Sequence, residues 1–186
     1  MADGHAPWGG EHPNDWLRSR LLEQRIILLR GPLDDDRATE VAAGLMALKA
    51  DGSEPIELHV DSEGGALGTA LMLMDTIDSL GVEVRTTCIG RAEAAAVGVF
   101  VSGRRRLMSP HARLHLCEPR RPSESAHAAG LQQLADRAAG ELSAFVGRIA
   151  EACGRPAEHV EAEITAGCWL DAEAAVAYGL ADGIRR

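Results

Sequence analysis

The chain has 186 residues, of which 46% are hydrophobic and 3% aromatic, and its formal net charge is −9. This length can bury one substantial hydrophobic core and gives no reason to expect a second. The negative charge argues against nucleic acid or an anionic membrane as the main partner, since both are bound by clustered Lys and Arg.

The cysteine pattern and the beginning of the chain indicate the class of protein. Residues 1–14 lack an apolar segment of signal-peptide length and are predicted to form a flexible tail before a single domain over residues 15–186. No apolar run approaches the roughly 20 residues that span a bilayer. We therefore predict a soluble, cytoplasmic protein without a cofactor. The four cysteines have neither disulfide-framework nor zinc-site spacing: Cys88, Cys117, Cys153 and Cys168.

The first half of the chain predicts strands that alternate with helices. A short helix over residues 16–22 precedes a buried strand over 25–30, and Asp34 to Asp36 mark the start of a helix. A strand over 56–60 then breaks at Gly64-Gly65. Apolar residues at helical spacing predict a helix over 66–80.

The second half continues the alternation. We predict a strand over 82–90, a fully buried alanine-rich helix over 91–103, and a hairpin formed by residues 107–108 and 113–116. A long helix over 125–153 and two short helices complete the chain, the last capped by Asp171. Strands alternating with helices predict an α/β fold with a parallel sheet.

Several short motifs follow one another along the chain: residues 19–28, Ser62-Glu63-Gly64-Gly65, Asp75-Thr76-Ile77, Cys88-Ile89-Gly90 and residues 174–182. Their order and spacing resemble the proteolytic subunit of the Clp protease, within the Clp/crotonase superfamily. The resemblance covers roughly residues 15–184, and it implies a repeated β-β-α superhelix with a parallel sheet, a protruding long "handle" helix and a small hairpin. It also implies a ring oligomer of stacked, heptameric rings.

The resemblance implies a Ser-His-Asp triad, yet the matching positions hold other residues. The serine position reads Ala94, or Ala96 if a two-residue insertion is allowed. Matching the proline of the histidine strand puts Cys117 at the histidine, and matching Leu170 puts Gly167 at the aspartate. A serine hydroxyl is a poor nucleophile until an oriented imidazole takes its proton. We therefore predict that no triad is assembled.

The resemblance also implies an oxyanion hole, which is built from backbone N–H groups and so survives a change of side chain. Its donors would be the amides of Gly65 and Ala95, or of Val97 in the gapped alignment. Alternatively, Gly64-Gly65 is present only because the turn requires positive φ.

Other residues could supply replacement chemistry. Cys117 is a nucleophile only if its thiolate is stabilised, with His115 or Glu93 nearby. His115 shares a face with Cys117 but lies about 7 Å further along the strand. Glu93 either forms a salt bridge with Arg91 or a neighbouring chain's arginine, or acts as an acid/base. Two hydroxyls and one carboxylate have simpler structural interpretations: Ser62, Ser102 and Asp171.

A further departure concerns partners. In the resembling family the cleft that docks an AAA+ unfoldase is lined by aromatic residues, whereas the matching positions here are Glu57, His59 and Ser79. Polar side chains there would remove the apolar pocket, which argues against unfoldase docking through this subunit.

Three functions follow from these observations. The first is a catalytically inactive subunit that assembles with itself or with paralogous Clp proteolytic subunits. The second is a Clp/crotonase-superfamily enzyme that uses the backbone oxyanion hole with Glu93 or Cys117/His115 on an acyl or peptide substrate. The third is an active serine peptidase that uses Ser102 or Ser109.

Overall fold

The structure is a computed structural model that describes residues 13–119 and 128–185. Residues 1–12 of the predicted tail therefore lie outside the described residues. So do residues 125–127, the predicted start of the long helix. The helices are α1 Pro13–Glu23, α2 Asp35–Asp51, α3 Leu67–Ser79, α4 Ala95–Val101, α5 Ala128–Cys153, α6 Ala157–Ala166 and α7 Ala172–Tyr178. The strands are β1 Ile26–Arg30, β2 Ile56–Ser62, β3 Val84–Glu93, β4 Arg105–Met108, β5 Arg113–Leu116, β6 Cys168–Asp171 and β7 Gly183–Ile184.

The strands form one mixed sheet in which parallel pairs dominate. Its main order is β1-β2-β3-β4-β7, and every neighbouring pair in that order is parallel. β5 lies parallel to the far end of β3, and β6 runs antiparallel to β5. This is the mixed α/β architecture of the Clp/crotonase fold, as predicted.

The core lies between the sheet and the helices that follow its strands. α2 packs on β1, and α4 packs on β2 and β3 while contacting α3 and α5. All seven residues of α4 are buried, because helices and sheet enclose it on every side. Gly98 of α4 allows Phe145 to approach, since a Cβ there would lie 2.6 Å from the phenyl ring.

Helix α5 has two differently packed parts. It contains 26 residues, which corresponds to a length of about 39 Å. Phe145, Val146 and Ile149 join the core, whereas residues 133–144 are half-buried or exposed. The helix over residues 128–153 thus agrees with the predicted long helix, and its first part extends away from the core.

The structure corrects the predicted hairpin. β4 and β5 do not pair with each other: both lie parallel to β3, with Arg105 beside Arg85 and His115 beside Glu93. The turn between them is closed by the Ala112 amide, which donates to the Ser109 carbonyl at 3.0 Å. β4 pairs with the first part of the ten-residue β3 and β5 with its last part, so the chain does not reverse direction between β4 and β5. The antiparallel partner of β5 is β6, a strand that was not predicted.

Two further corrections concern burial and boundaries. β1 is the edge strand of the main sheet, so its outward residue Leu28 is 38% exposed and the strand is only half-buried. β3 extends to Glu93, so that α4 begins at Ala95 and not near Arg91. Alternating polar residues at the end of β3 hid the continuation of the strand. The assignment of residues 15–186 to a single domain stays a prediction.

Among residues 13–119 and 128–185, no helix is long and apolar enough to cross a membrane. The same residues contain no group of three His, Cys, Asp or Glu placed to hold a metal ion.

Candidate functional site

A sharp turn between β3 and α4 forms the centre of the candidate site. Ala94 has φ 48° and ψ −121°, one of two non-glycine residues with positive φ in the described part of the chain. Its amide donates to the His115 carbonyl at 3.0 Å, which ties the turn to β5. A strained strand-to-helix turn of this kind presents a nucleophile in many hydrolases. Here the turn presents a methyl group that is 7% exposed.

The geometry of this turn bears on the two possible alignments. Ala94 occupies the turn, whereas Ala96 lies inside α4 and is 0% exposed. A residue enclosed within a buried helix cannot present a side chain to a substrate. The geometry therefore favours the alignment without an insertion, which pairs Ala94 with the serine and Ala95 with the second amide.

The glycine pair lies directly against this turn. A Cβ on Gly64, which has φ 76°, would lie 2.5 Å from the Glu93 carbonyl oxygen and 3.2 Å from the Ala95 nitrogen. A Cβ on Gly65 would overlap the Leu33 carbonyl. Both glycines are thus required by close backbone approach. Gly64 is the one that lies against the Ala95 nitrogen, and Gly65, the other expected donor of an oxyanion hole, follows it directly in the chain.

Cys117 lies beside the turn, in the segment that follows β5. Burial raises the pKa of its thiol, and the negative charge of Glu93 raises it further, while a hydrogen bond with the Ala94 backbone lowers it. The net shift is upward, so the thiol is protonated near neutral pH. A protonated thiol is a weak nucleophile, and this environment lacks the cations that activate catalytic cysteines.

Glu93 lies between Arg91 and His115. Its Oε1 lies 3.0 Å from Arg91 Nη1, and its Oε2 lies 3.6 Å from His115 Nδ1. Glu93 and His115 are register partners on β3 and β5, and their side chains are only 17% and 18% exposed. The intramolecular salt bridge to Arg91 is therefore present, as one of the two interpretations of Glu93 predicted.

The ring of His115 is held from the other side by β6. Trp169 is its register partner and stacks on it with 4.0 Å between ring centroids and an interplanar angle of 10°. A Cβ on Gly167 would lie 3.7 Å from His115 Nε2, which is ordinary van der Waals contact. The imidazole thus lies between Glu93 and the Gly167 backbone. His115 precedes Cys117 by two residues in the same segment of the chain.

Trp169 is the member of this cluster that sequence reasoning missed. It lies on β6, a four-residue strand that was not predicted, and no short motif identifies it. The alternation over residues 168–171, half-buried, exposed, buried, exposed, exists only in the structure, because Cys168, Trp169 and Leu170 are consecutive apolar residues in the sequence.

The side chains of Asp171, Ser102 and Ser62 have structural roles. The Asp171 carboxylate accepts from the Ala174 amide at 2.9 Å and caps α7, which confirms the predicted cap. Ser102 is 7% exposed and donates to the Gly98 carbonyl at 3.0 Å. Ser62 is 0% exposed and accepts from the Gly64 amide at 3.1 Å. Ser109 begins the turn after β4, where its amide donates to the Cys88 carbonyl.

The three predicted docking positions carry polar interactions. Glu57 lies 3.7 Å from Arg85, and His59 Nε2 lies 3.3 Å from Arg185 Nη1. Burial, followed by the charge of Arg185, lowers the pKa of His59. The Ser79 hydroxyl donates to the Asp75 carbonyl of its own helix at 2.7 Å.

Comparison with known proteins agrees with this geometry. The sequence model of the family described as Clp protease matches residues 9–186. The chain is also 31% identical over 183 residues to the ATP-dependent Clp protease proteolytic subunit of Streptococcus gordonii, an alignment that covers 94% of this chain and 91% of that protein.

Proposed function

The chain belongs to the Clp protease family, and from that premise we propose that it is a catalytically inactive homologue of the proteolytic subunit. It would act in the cytoplasm as a structural or regulatory subunit of a barrel-shaped assembly. The observation that supports this proposal is the turn at Ala94, where the backbone is that of a nucleophile-bearing turn and the side chain is a methyl group.

Among residues 13–119 and 128–185, the hydroxyls and the thiol considered as substitutes for the serine support this proposal. Cys117 is adjacent, but burial raises the pKa of its thiol. Ser102 is the C-cap of α4, about 10 Å along the helix from Ala95, and its hydroxyl donates to Gly98. Ser62 is fully buried. Hydrolysis by an acyl-enzyme route needs a nucleophile whose proton an imidazole can take, and these groups do not provide one.

A probe experiment tests the loss of catalysis. We expect a serine-directed fluorophosphonate to leave the purified chain unlabelled and a fluorogenic peptide to remain uncleaved. Peptide cleavage that disappears in Ser102→Ala or Ser109→Ala would overturn the proposal and support the serine peptidase.

A gain-of-function variant sharpens this test. The triple variant Ala94→Ser/Cys117→His/Gly167→Asp restores the residue types of the triad at the three proposed positions. Asp is tolerated at Gly167 better than most residues, since its φ of 78° lies in the left-handed region that Asp and Asn visit. We expect fluorophosphonate labelling of this variant, with Ala96→Ser/Cys117→His/Gly167→Asp as the matched control that stays unlabelled. Labelling of the control alone would contradict the assignment of Ala94.

The proposed assembly has its own test. A subunit without chemistry acts through its contacts, and α5 offers a long exposed surface for a partner ring. We expect mass photometry to detect rings of this chain alone, or mixed rings after an active paralogue from the same cell is added. A chain that remains monomeric in both experiments would contradict this part of the proposal.

The polar interactions of Glu57, His59 and Ser79 support the proposal that no AAA+ unfoldase docks through this subunit. Glu57 and His59 are held by arginines, and a partner's aliphatic loop would have to displace those contacts without gaining an apolar pocket. We expect an immobilised AAA+ unfoldase to retain the active paralogue in a pull-down but not to retain this chain.

One observation favours a second function. Glu93 and His115 form a half-buried carboxylate–imidazole pair beside the proposed oxyanion hole, and such a pair can act in general acid–base chemistry on an acyl substrate. Turnover of an acyl thioester that is lost in both Glu93→Gln and His115→Gln, but kept in Cys117→Ala, would establish this alternative.

A further inference from the structure

An unusual arrangement of arginines lies on the sheet beside Glu57 and His59, away from the turn at Ala94. In the parallel pair of β3 and β4, Arg85 and Arg105 are register partners. Neighbouring strands lie about 4.8 Å apart, and register partners project to the same face. Two cations are therefore placed side by side, which destabilises a sheet unless other charges compensate.

The compensation is incomplete. Arg85 has two carboxylate partners, Glu83 at 2.7 Å and Glu57 at 3.7 Å. Arg105 is exposed, and within the described part of the chain its guanidinium makes no hydrogen bond or ion pair. Asp182, the residue that precedes β7, already forms a salt bridge with Arg106, whose Nη2 lies 2.6 Å from Asp182 Oδ1.

Two further arginines extend the positive charge. Arg185 follows β7, is exposed and lies 3.3 Å from the ring of His59. Arg104 precedes β4 and is exposed, and its charge helps to hold the pKa of Glu83 below its usual value, although the hydrogen bond from Arg85 is the main cause. We name the following set the arginine face: Arg85, Arg104, Arg105 and Arg185 with Glu57 and Glu83.

The arginine face has four cations and two carboxylates, a local net charge of +2 in a chain whose overall charge is −9. The charge of Arg105 interacts at longer range with the carboxylates of Glu83 and Asp182, but its exposed guanidinium has no direct carboxylate partner in the described part of the chain. It is therefore available to a partner of opposite charge.

We propose that the arginine face docks an acidic segment of a protein partner. Arginine presents a planar fork that binds carboxylates with two parallel hydrogen bonds, so acidic side chains complement this surface in both charge and shape. Nucleic acid is a poorer fit, because it presents a long continuous line of phosphates, whereas this face holds only four arginines together with two carboxylates. The inference does not depend on the loss of the nucleophile, and peptide binding can be measured whether or not the chain is catalytic.

The test uses a fluorescein-labelled peptide of alternating Glu and Ser, with fluorescence anisotropy as the readout on the full chain. We expect binding that weakens about tenfold between about 50 mM and about 200 mM salt, as expected for an exposed charged interface. Arg105→Gln should weaken binding at least about fivefold. The matched control is Arg137→Gln on α5, which removes the same charge from a side chain that is 76% exposed and should leave binding unchanged.

Thermal unfolding of the same variants excludes a purely structural role. Arg105→Gln should melt at the same temperature as the parent chain or higher, since it removes a like-charge neighbour of Arg85. Equal loss of binding in the two arginine variants, or a marked fall in melting temperature for Arg105→Gln, would overturn the proposal.

Two further experiments would identify a different partner of the arginine face. Equal or tighter binding of a single-stranded oligodeoxynucleotide would overturn the proposal in favour of nucleic acid. Sedimentation that shows self-association abolished by Arg105→Gln, without peptide binding, would overturn it in favour of a second copy of this chain.

Discussion

The turn at Ala94 and the β5–β6 strand pair meet at the candidate site, but different features set their conformations. The turn keeps a demanding backbone: Ala94 has φ 48°, and Gly64 and Gly65 pack against neighbouring main chain. The strand pair has ordinary extended backbone and differs in its side chains, with Cys117 and Gly167 at the proposed histidine and aspartate positions. The backbone contacts of the turn are made with residues of the core, so they do not depend on which side chain the turn carries.

The largest effect should come from the glycine turn. In Gly65→Ala the new methyl would overlap the Leu33 carbonyl, so we expect a loss of at least about 2 kcal/mol in the free energy of unfolding, measured with urea. The matched control is Gly147→Ala on the exposed side of α5, where no atom lies within 4 Å. It should gain about 0.5–1 kcal/mol. A neutral Gly65→Ala would show that the turn is not constrained by packing.

A pair of alanine variants sharpens the comparison at the turn itself. Ala95→Gly removes a fully buried methyl and should cost about 1–2 kcal/mol of unfolding free energy. Ala94→Gly also loses a methyl, but it relieves a positive-φ strain worth about 1–3 kcal/mol, so its stability should stay within about 1 kcal/mol of the parent chain. Equal losses in urea unfolding would mean that Ala94 is not strained.

The strand pair gives the next prediction. Asp171→Ala removes the cap of α7 and should cost about 1 kcal/mol in urea unfolding, whereas Asp171→Asn keeps an acceptor for the Ala174 amide and should cost a few tenths. If Asp171 instead oriented His115, both variants would change the histidine ring signals in an NMR titration. We expect those signals to be unchanged.

The smallest effect should be the reactivity of Cys117. Because burial and Glu93 raise the pKa of the thiol, less thiolate is present at any given pH than in a free cysteine. Alkylation by iodoacetamide, followed by mass spectrometry, should be slow near pH 7 and should accelerate as the pH rises above about 9. Cys88 is the internal control: it is fully buried and its pKa is raised to about 12, so it should react only after unfolding. Rapid alkylation of Cys117 at neutral pH would show that its thiol is activated and would support a catalytic role for this cysteine.

The sequence alone predicted most of the helices and strands because their signals are local. Asp34 accepts from the Arg37 amide and begins α2, and Asp171 does the same for α7, as expected of residues that cap helices. The apolar spacing of residues 66–80 and the burial of the alanine-rich helix were likewise predicted. The family followed from the order of the motifs, and its match to residues 9–186 agrees.

The tertiary structure alone decided the strand pairing and the site geometry. Whether Arg113–Leu116 turns back on β4 or continues along β3 depends on contacts far apart in sequence, and the local hairpin pattern gave the wrong answer. The stacking of Trp169 on His115 depends on the same pairing. Likewise, alanine has no intrinsic preference for positive φ, so the conformation of Ala94 is imposed by its hydrogen bond to β5 and by packing around α4. Local side-chain chemistry determined where the helices and strands form. Contacts between residues far apart in sequence determined which strands pair and which side chains meet at the candidate site.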